Sequence, residues 1–129
     1  MRDNKPASSP RLEIPTRGVL RGAWAEDHAA QFLEQAGLHI LERNYRIRGG
    51  EIDLIALEQE VTVFIEVKQR ASSSHGTVGE TITARKAGLV RRAALFYLRR
   101  DDLPCRFDAV LIEGASRATA KITWLKDAF

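Results

Sequence analysis

The chain has 129 residues, 44% hydrophobic and 29% charged, with a formal net charge of +3. This is the size of one domain with a real core, biased mildly towards anionic partners. No run approaches the roughly 18 apolar residues of a membrane span, no apolar stretch follows Arg2 and Lys5 to make a secretory leader, and the single cysteine, Cys105, cannot close an internal disulfide; no membrane partner is expected, and a cytoplasmic location is the default.

In chain order, residues 1–17 carry Pro6, Pro10 and Pro15 with Ser8 and Ser9, the composition of a flexible arm. Residues 18–129 form the folded domain. Gly22 to Ala36 is predicted helical, with Ala25, Ala29, Phe32, Leu33 and Ala36 at helical spacing and Gly37 as the stop. Leu38 to Arg48 reads as a strand leading into Gly50–Ile55, and Val61 to Arg70 as the next. Ala71 to Gly79 is rich in Ser and Gly and makes a loop, a candidate substrate-contacting flap. Thr81 to Leu98 is a second helix, its inner stripe Ile82, Leu89, Ala93 and Phe96 or Tyr97. Arg106 to Glu113 and Lys121 to Leu125 complete the strands. The order α-β-β-β-α-β plus a short last strand fits an α/β fold, a mixed sheet between helices.

The informative stretch is the hairpin. A tight turn centred between Gln59 and Glu60 sets Asp53 opposite Glu66 and Glu51 opposite Lys68, and directly opposed residues share a face. Asp53, Glu66 and Lys68 then converge, and a one-residue slip would separate them. The flanking Ile52, Leu54, Ile55, Phe64, Ile65 and Val67 mark strands covered on both faces, where a carboxylate is costly unless it is paired or holds a metal. Two hard oxygen donors suit Mg²⁺ or Mn²⁺, and a nearby lysine suits phosphodiester hydrolysis. A plain structural ion pair of Asp53 or Glu66 with Lys68 explains the spacing equally well. The segment from Glu80 to Arg100 adds Arg85, Lys86, Arg91, Arg92, Arg99 and Arg100, either a phosphate-backbone footprint or a solvated helix face.

Several pieces carry a family resemblance across residues 18–125: Gly22-Ala23-Trp24-Ala25-Glu26-Asp27-His28-Ala29, Arg43-Asn44-Tyr45-Arg46, Gly50-Glu51-Ile52-Asp53-Leu54-Ile55, Phe64-Ile65-Glu66-Val67-Lys68-Gln69-Arg70, Lys86, and Arg106-Phe107-Asp108. In this order and spacing the chain resembles the YraN-like uncharacterised family, placed with the restriction-endonuclease-like nucleases and similar to archaeal Holliday-junction resolvases. The resemblance implies an αβββαβ restriction-endonuclease-like core. It implies that Asp53, Glu66 and Lys68 match the catalytic Asp…Glu-x-Lys motif, and that Glu26 matches an acid which resolvases add to the metal site. Read alone, Glu26 is an ordinary surface acid of an alanine-rich helix.

The resulting expectation is a metal-dependent DNA endonuclease. Glu26, Asp53 and Glu66 hold Mg²⁺ or Mn²⁺ with the Val67 carbonyl, and Lys68 positions the attacking water. Arg46, Arg70, Lys86, Arg91 and Arg92 are the candidate nucleic-acid contacts. The resolvase likeness further implies branched DNA and a homodimer, because two strands must be cut symmetrically. The alternative is a nucleic-acid- or partner-binding module on a nuclease scaffold with little turnover. His28 and His39 have no partners at ligand spacing and His75 falls in the predicted loop; Asp108, Trp24, Trp124 and Phe129 are expected to serve structure.

Overall fold

The computed structural model describes residues 17–70, 82–99 and 102–129, with side chains from Trp24 onward. The arm up to Thr16, the flap from Ala71 to Gly79 with His75, and the basic-segment residues Glu80 and Arg100 lie outside the described residues.

Helix α1 spans Arg17–Gln35, five residues longer at its start than the sequence suggests. Gly18 and Gly22, both poor helix formers, hide its first turn from a propensity reading. Its end is a Schellman cap: Gly37 (φ +104°) donates to the Glu34 carbonyl at 3.0 Å and Leu38 to that of Leu33 at 3.0 Å. Leu33 and Leu38 are both buried in one apolar cluster, which sets the angle at which the chain leaves for the sheet.

Five strands follow: β1 (His39–Ile47), β2 (Gly50–Glu58), β3 (Val61–Arg70), β4 (Cys105–Glu113) and β5 (Lys121–Leu125). They lie side by side in chain order. All neighbours are antiparallel except β3 and β4, which run parallel from Thr62↔Cys105 to Arg70↔Glu113. A parallel pair needs a long crossover. Helix α2, Ala84–Leu98, lies within it, N-capped by Thr83, whose hydroxyl accepts the Lys86 N–H at 3.1 Å. This is the predicted α/β architecture, a mixed sheet with helices on its two faces and consistent with a restriction-endonuclease-like core.

The central strands β2, β3 and β4 are buried on both sides, whereas β1 is largely exposed. Towards α1, Ala25, Ala29 and Leu33 pack on Leu54, Ala56, Val63, Ile65, Val110 and Ile112. Towards α2, Val90, Ala93 and Ala94 pack on Ile52, Ile55 and Phe64. Of the two residues offered for the inner stripe of α2, Tyr97 packs and Phe96 stays 54% exposed. Gly50 permits close approach: a Cβ there would stand 2.9 Å from the Ala93 nitrogen and 3.0 Å from the Leu89 carbonyl oxygen. Helix α2 therefore lies directly on the start of β2, the segment that leads to Asp53.

The far side is closed by a buried carboxylate. Asp108, 0% exposed, accepts from Arg106 Nε (2.9 Å) and a terminal Arg106 nitrogen (3.0 Å), from Trp124 Nε1 (2.9 Å) and from the Asp127 backbone (2.8 Å). Arg106 also pairs with Glu58 at 2.8 Å. The expected structural role of Asp108 is what the geometry provides. Asp108→Ala would leave the Trp124 and Asp127 N–H donors without their acceptor and the part-exposed Arg106 with Glu58 as its remaining partner, so urea unfolding should show a loss of about 2–4 kcal/mol. A loss under about 1 kcal/mol would mean that the network contributes little.

Candidate active site

The β2–β3 hairpin has the predicted register. Glu58↔Val61 closes the turn, with Gln59 at φ +56°, and the ladder runs to Leu54↔Ile65. There the regular pattern ends. Ile52 and Ile55 lie in the cluster facing α2, whereas Leu54 and Ala56 lie in the one facing α1. Residues two apart on a regular strand share a face, so the alternation slips between Ile52 and Leu54, at Asp53. Across the gap, the Val67 N–H donates to Asp53 Oδ2 at 2.9 Å. A side-chain oxygen thus enters where backbone ladder would otherwise continue.

The other neighbour of β2 is irregular at the same place. Asn44 lies between the pairs Arg43↔Leu54 and Tyr45↔Ile52, at φ +53°, a conformation Asn tolerates better than most residues. Its Nδ2 donates to Glu26 Oε1 at 3.1 Å. Asn44 therefore orients the α1 acid from the edge strand.

Glu66 is the deepest acid of this group, 3% exposed. It alternates with Phe64 and so faces α2. Its Oε2 is 3.4 Å from Lys86 Nζ, and its Oε1, also buried, accepts no hydrogen bond. Desolvation first, then repulsion from Asp53, pushes its carboxyl up to about 8 against the pull of Lys86. Asp53 is raised as well, by desolvation, with the Val67 N–H and Lys86 opposing. Glu26 is raised by desolvation and then by the charge of Asp53. Both Glu26 and Glu66 thus feel the charge of Asp53, yet among the described residues no three side chains converge tightly enough to form a ready ligand set. The close pair is Asp53 with Glu66; Glu26 stands back, engaged by Asn44.

The cation at this pair is Lys86, reaching in from the first turn of α2. It bonds Glu51 Oε2 as well as approaching Glu66. Glu51, expected opposite Lys68, is instead held by Lys86, and its carboxyl is lowered chiefly by that bond. Lys68 makes no hydrogen bond or ion pair with another described residue. Arg46 pairs across the sheet with Glu51 in the ladder and lends positive charge to Glu26 and Glu51. Arg70 is half-buried at the end of β3, its carbonyl bonded by the Gly114 N–H at 2.9 Å. The two candidate arginines of α2 differ: Arg92 lies against Gly49 at the β1–β2 turn, while Arg91 donates to the Phe129 carbonyl at 2.7 Å and covers the Phe107 ring at 4.6 Å. Arg91 thus holds the end of the chain in place.

Fold and site together define an α/β protein with a paired-carboxylate centre where two strands of a mixed sheet part. The model of the "Uncharacterised protein family UPF0102" matches residues 25–112, and the chain belongs to that family, as the resemblance to the YraN-like group implied. It is 49% identical over 110 residues to a UPF0102 protein of Dechloromonas aromatica (strain RCB), covering 84% of this chain and 88% of that one. A UPF0102 protein of Deinococcus radiodurans is 50% identical over 103 residues, covering 76% and 84%. One of Pseudomonas entomophila (strain L48) is 40% identical over 112 residues, covering 84% and 91%. Among the described residues no helix is long and apolar enough to cross a membrane.

The raised Glu66 carboxyl sets a pH dependence. Its folded pKa lies above the unfolded value of about 4.5, so the folded state holds the proton more tightly. The stability this contributes is complete below about 4.5 and is lost as pH rises through about 8. Without divalent ions, denaturation midpoints should fall across that window, and Glu66→Gln should flatten the decline and exceed wild type at pH 8. Parallel profiles for the two proteins would place the shift elsewhere.

Proposed function

We propose that this protein is a metal-dependent endonuclease that hydrolyses phosphodiester bonds in DNA, with branched DNA as its preferred substrate and a homodimer as its working form. The observation that carries the reading is Glu66 Oε1, a buried carboxylate oxygen that accepts no hydrogen bond, beside a second acid in a gap between strands. Burying an unpaired oxygen there is costly. A proton shared with Asp53 or a divalent cation would relieve that cost.

The residues fit a small hard cation. Asp53 and Glu66 offer carboxylate oxygens, the Val67 carbonyl would offer a third, and Glu26 would join on release from Asn44 or act through a bound water. Bound Mg²⁺ or Mn²⁺ supplies a Lewis acid at phosphate and lowers the pKa of a coordinated water. The chain's own groups do the rest. The Val67 N–H fixes the orientation of the Asp53 carboxylate. Lys68, two residues beyond Glu66 and uncommitted to any described partner, would orient the attacking water and stabilise charge on the phosphorus centre. Arg46, Arg70 and Arg92 would hold phosphates on either side, contacts that carry no base information. Arg91 contributes to this surface only beyond its bond to the chain end.

The test is a cleavage panel of four-way junction, flap, linear duplex, single-stranded DNA and RNA with Mg²⁺ or Mn²⁺. Wild type should cut the junction, and Asp53→Asn should lower the rate at least about 100-fold while keeping salt-sensitive binding. Binding without cutting, equal in both proteins, would favour the binding-module alternative. Preference for RNA or single strands would keep the chemistry and replace the substrate.

A further inference from the structure

Lys86 is the one described cation bonded into the carboxylate group, and it comes from a different element than the motif lysine. Its backbone is held by the Thr83 cap, so its position on the helix is set and only its stem is free to swing. Its head lies between Glu51 and Glu66, on the oxygen of Glu66 adjacent to the unsatisfied one. A single ammonium stands beside the acids that would hold a divalent cation, and two cations so close repel each other.

We infer that Lys86 is a built-in counter-ion which occupies the cation position of the Asp53–Glu66 pair in the ion-free protein and transfers to the phosphate backbone of the substrate when a divalent ion enters. The inference rests on the nuclease reading of the site and deepens it by linking ion binding to DNA binding. The long, flexible lysine stem permits the exchange. While the ion is absent the ammonium is held by the Glu51 carboxylate and lies against Glu66, and it contributes little to DNA affinity. Once displaced, it adds one positive charge to the surface that meets phosphate. Ion and DNA then strengthen each other's binding, and the coupling is reciprocal.

The test compares wild type, Lys86→Met and Lys86→Arg, each first shown to have wild-type circular dichroism. Titration of Mn²⁺ alone by calorimetry should give Lys86→Met a Kd at least about five-fold lower than wild type, because a competing charge is gone; Lys86→Arg, which keeps that charge, should stay near wild type. Binding of a fluorescent DNA duplex should fall about three- to ten-fold in Lys86→Met when Ca²⁺ is present and the DNA stays uncut, and should be unchanged in EDTA. A merely structural lysine would weaken both conditions alike. Mn²⁺ binding that is equal or weaker in Lys86→Met, or a DNA loss equal with and without Ca²⁺, overturns the inference and leaves the nuclease reading standing. Mn²⁺ binding that is absent from wild type, or that survives Asp53→Asn unchanged, overturns both.

Discussion

Everything at the centre depends on one interruption of backbone pairing, where the Asp53 carboxylate takes the Val67 N–H. Up to Leu54↔Ile65 the hairpin is regular, and its side chains serve the core on both faces. One residue further, β2 changes which face its even-numbered residues serve. That slip opens a gap between two strands that are otherwise sealed by apolar packing. A polar group can be buried there because a backbone donor is left over to meet it, so the irregularity of the strand and the acidity of the site are one constraint.

Among the described residues two carboxylates are deeply buried, and they are treated oppositely. Asp108 receives four hydrogen bonds and ties β4 to the chain end through Trp124 and Asp127. Glu66, in the neighbouring strand, keeps an oxygen with none. The first satisfies the general rule for buried charge, and the second leaves capacity unspent. Helix α2 links the two regions: one end brings Lys86 to Glu66, and Arg91 along its length secures Phe129.

Much of this was legible in the residues. Symmetry about Gln59 and Glu60 was enough for the β2–β3 register, because a two-residue turn leaves little freedom in pairing. β3 and β5 have the expected bounds, and Trp24, Trp124 and Phe129 pack as anticipated. The partner of Glu51 was not legible. It depends on how closely α2 lies on β2, which Gly50 decides through contacts with Ala93 and Leu89 that are distant in sequence. Lys68 looked like the natural neighbour because strand alternation was extended through Asp53, where the strand itself departs from it. Asn44 carried a weak local signal, an Asn inside a strand, whose meaning needed the bond to Glu26.

The irregularities of β1 have a second effect, at the outer boundary of the sheet. β1 is the outermost strand among the described residues, and an edge strand is ordinarily a template for another chain. Its pairing shifts between Ile40 and Glu42, Asn44 turns into the left-handed region, and Glu42, Arg43 and Arg46 are exposed along it. A strand so bent and charged resists edge-to-edge addition, so the device that aims Asn44 at an acid also keeps this side of the sheet from being extended. Such features disfavour a continuous intermolecular sheet across β1 and favour side-chain contacts on this side of the molecule.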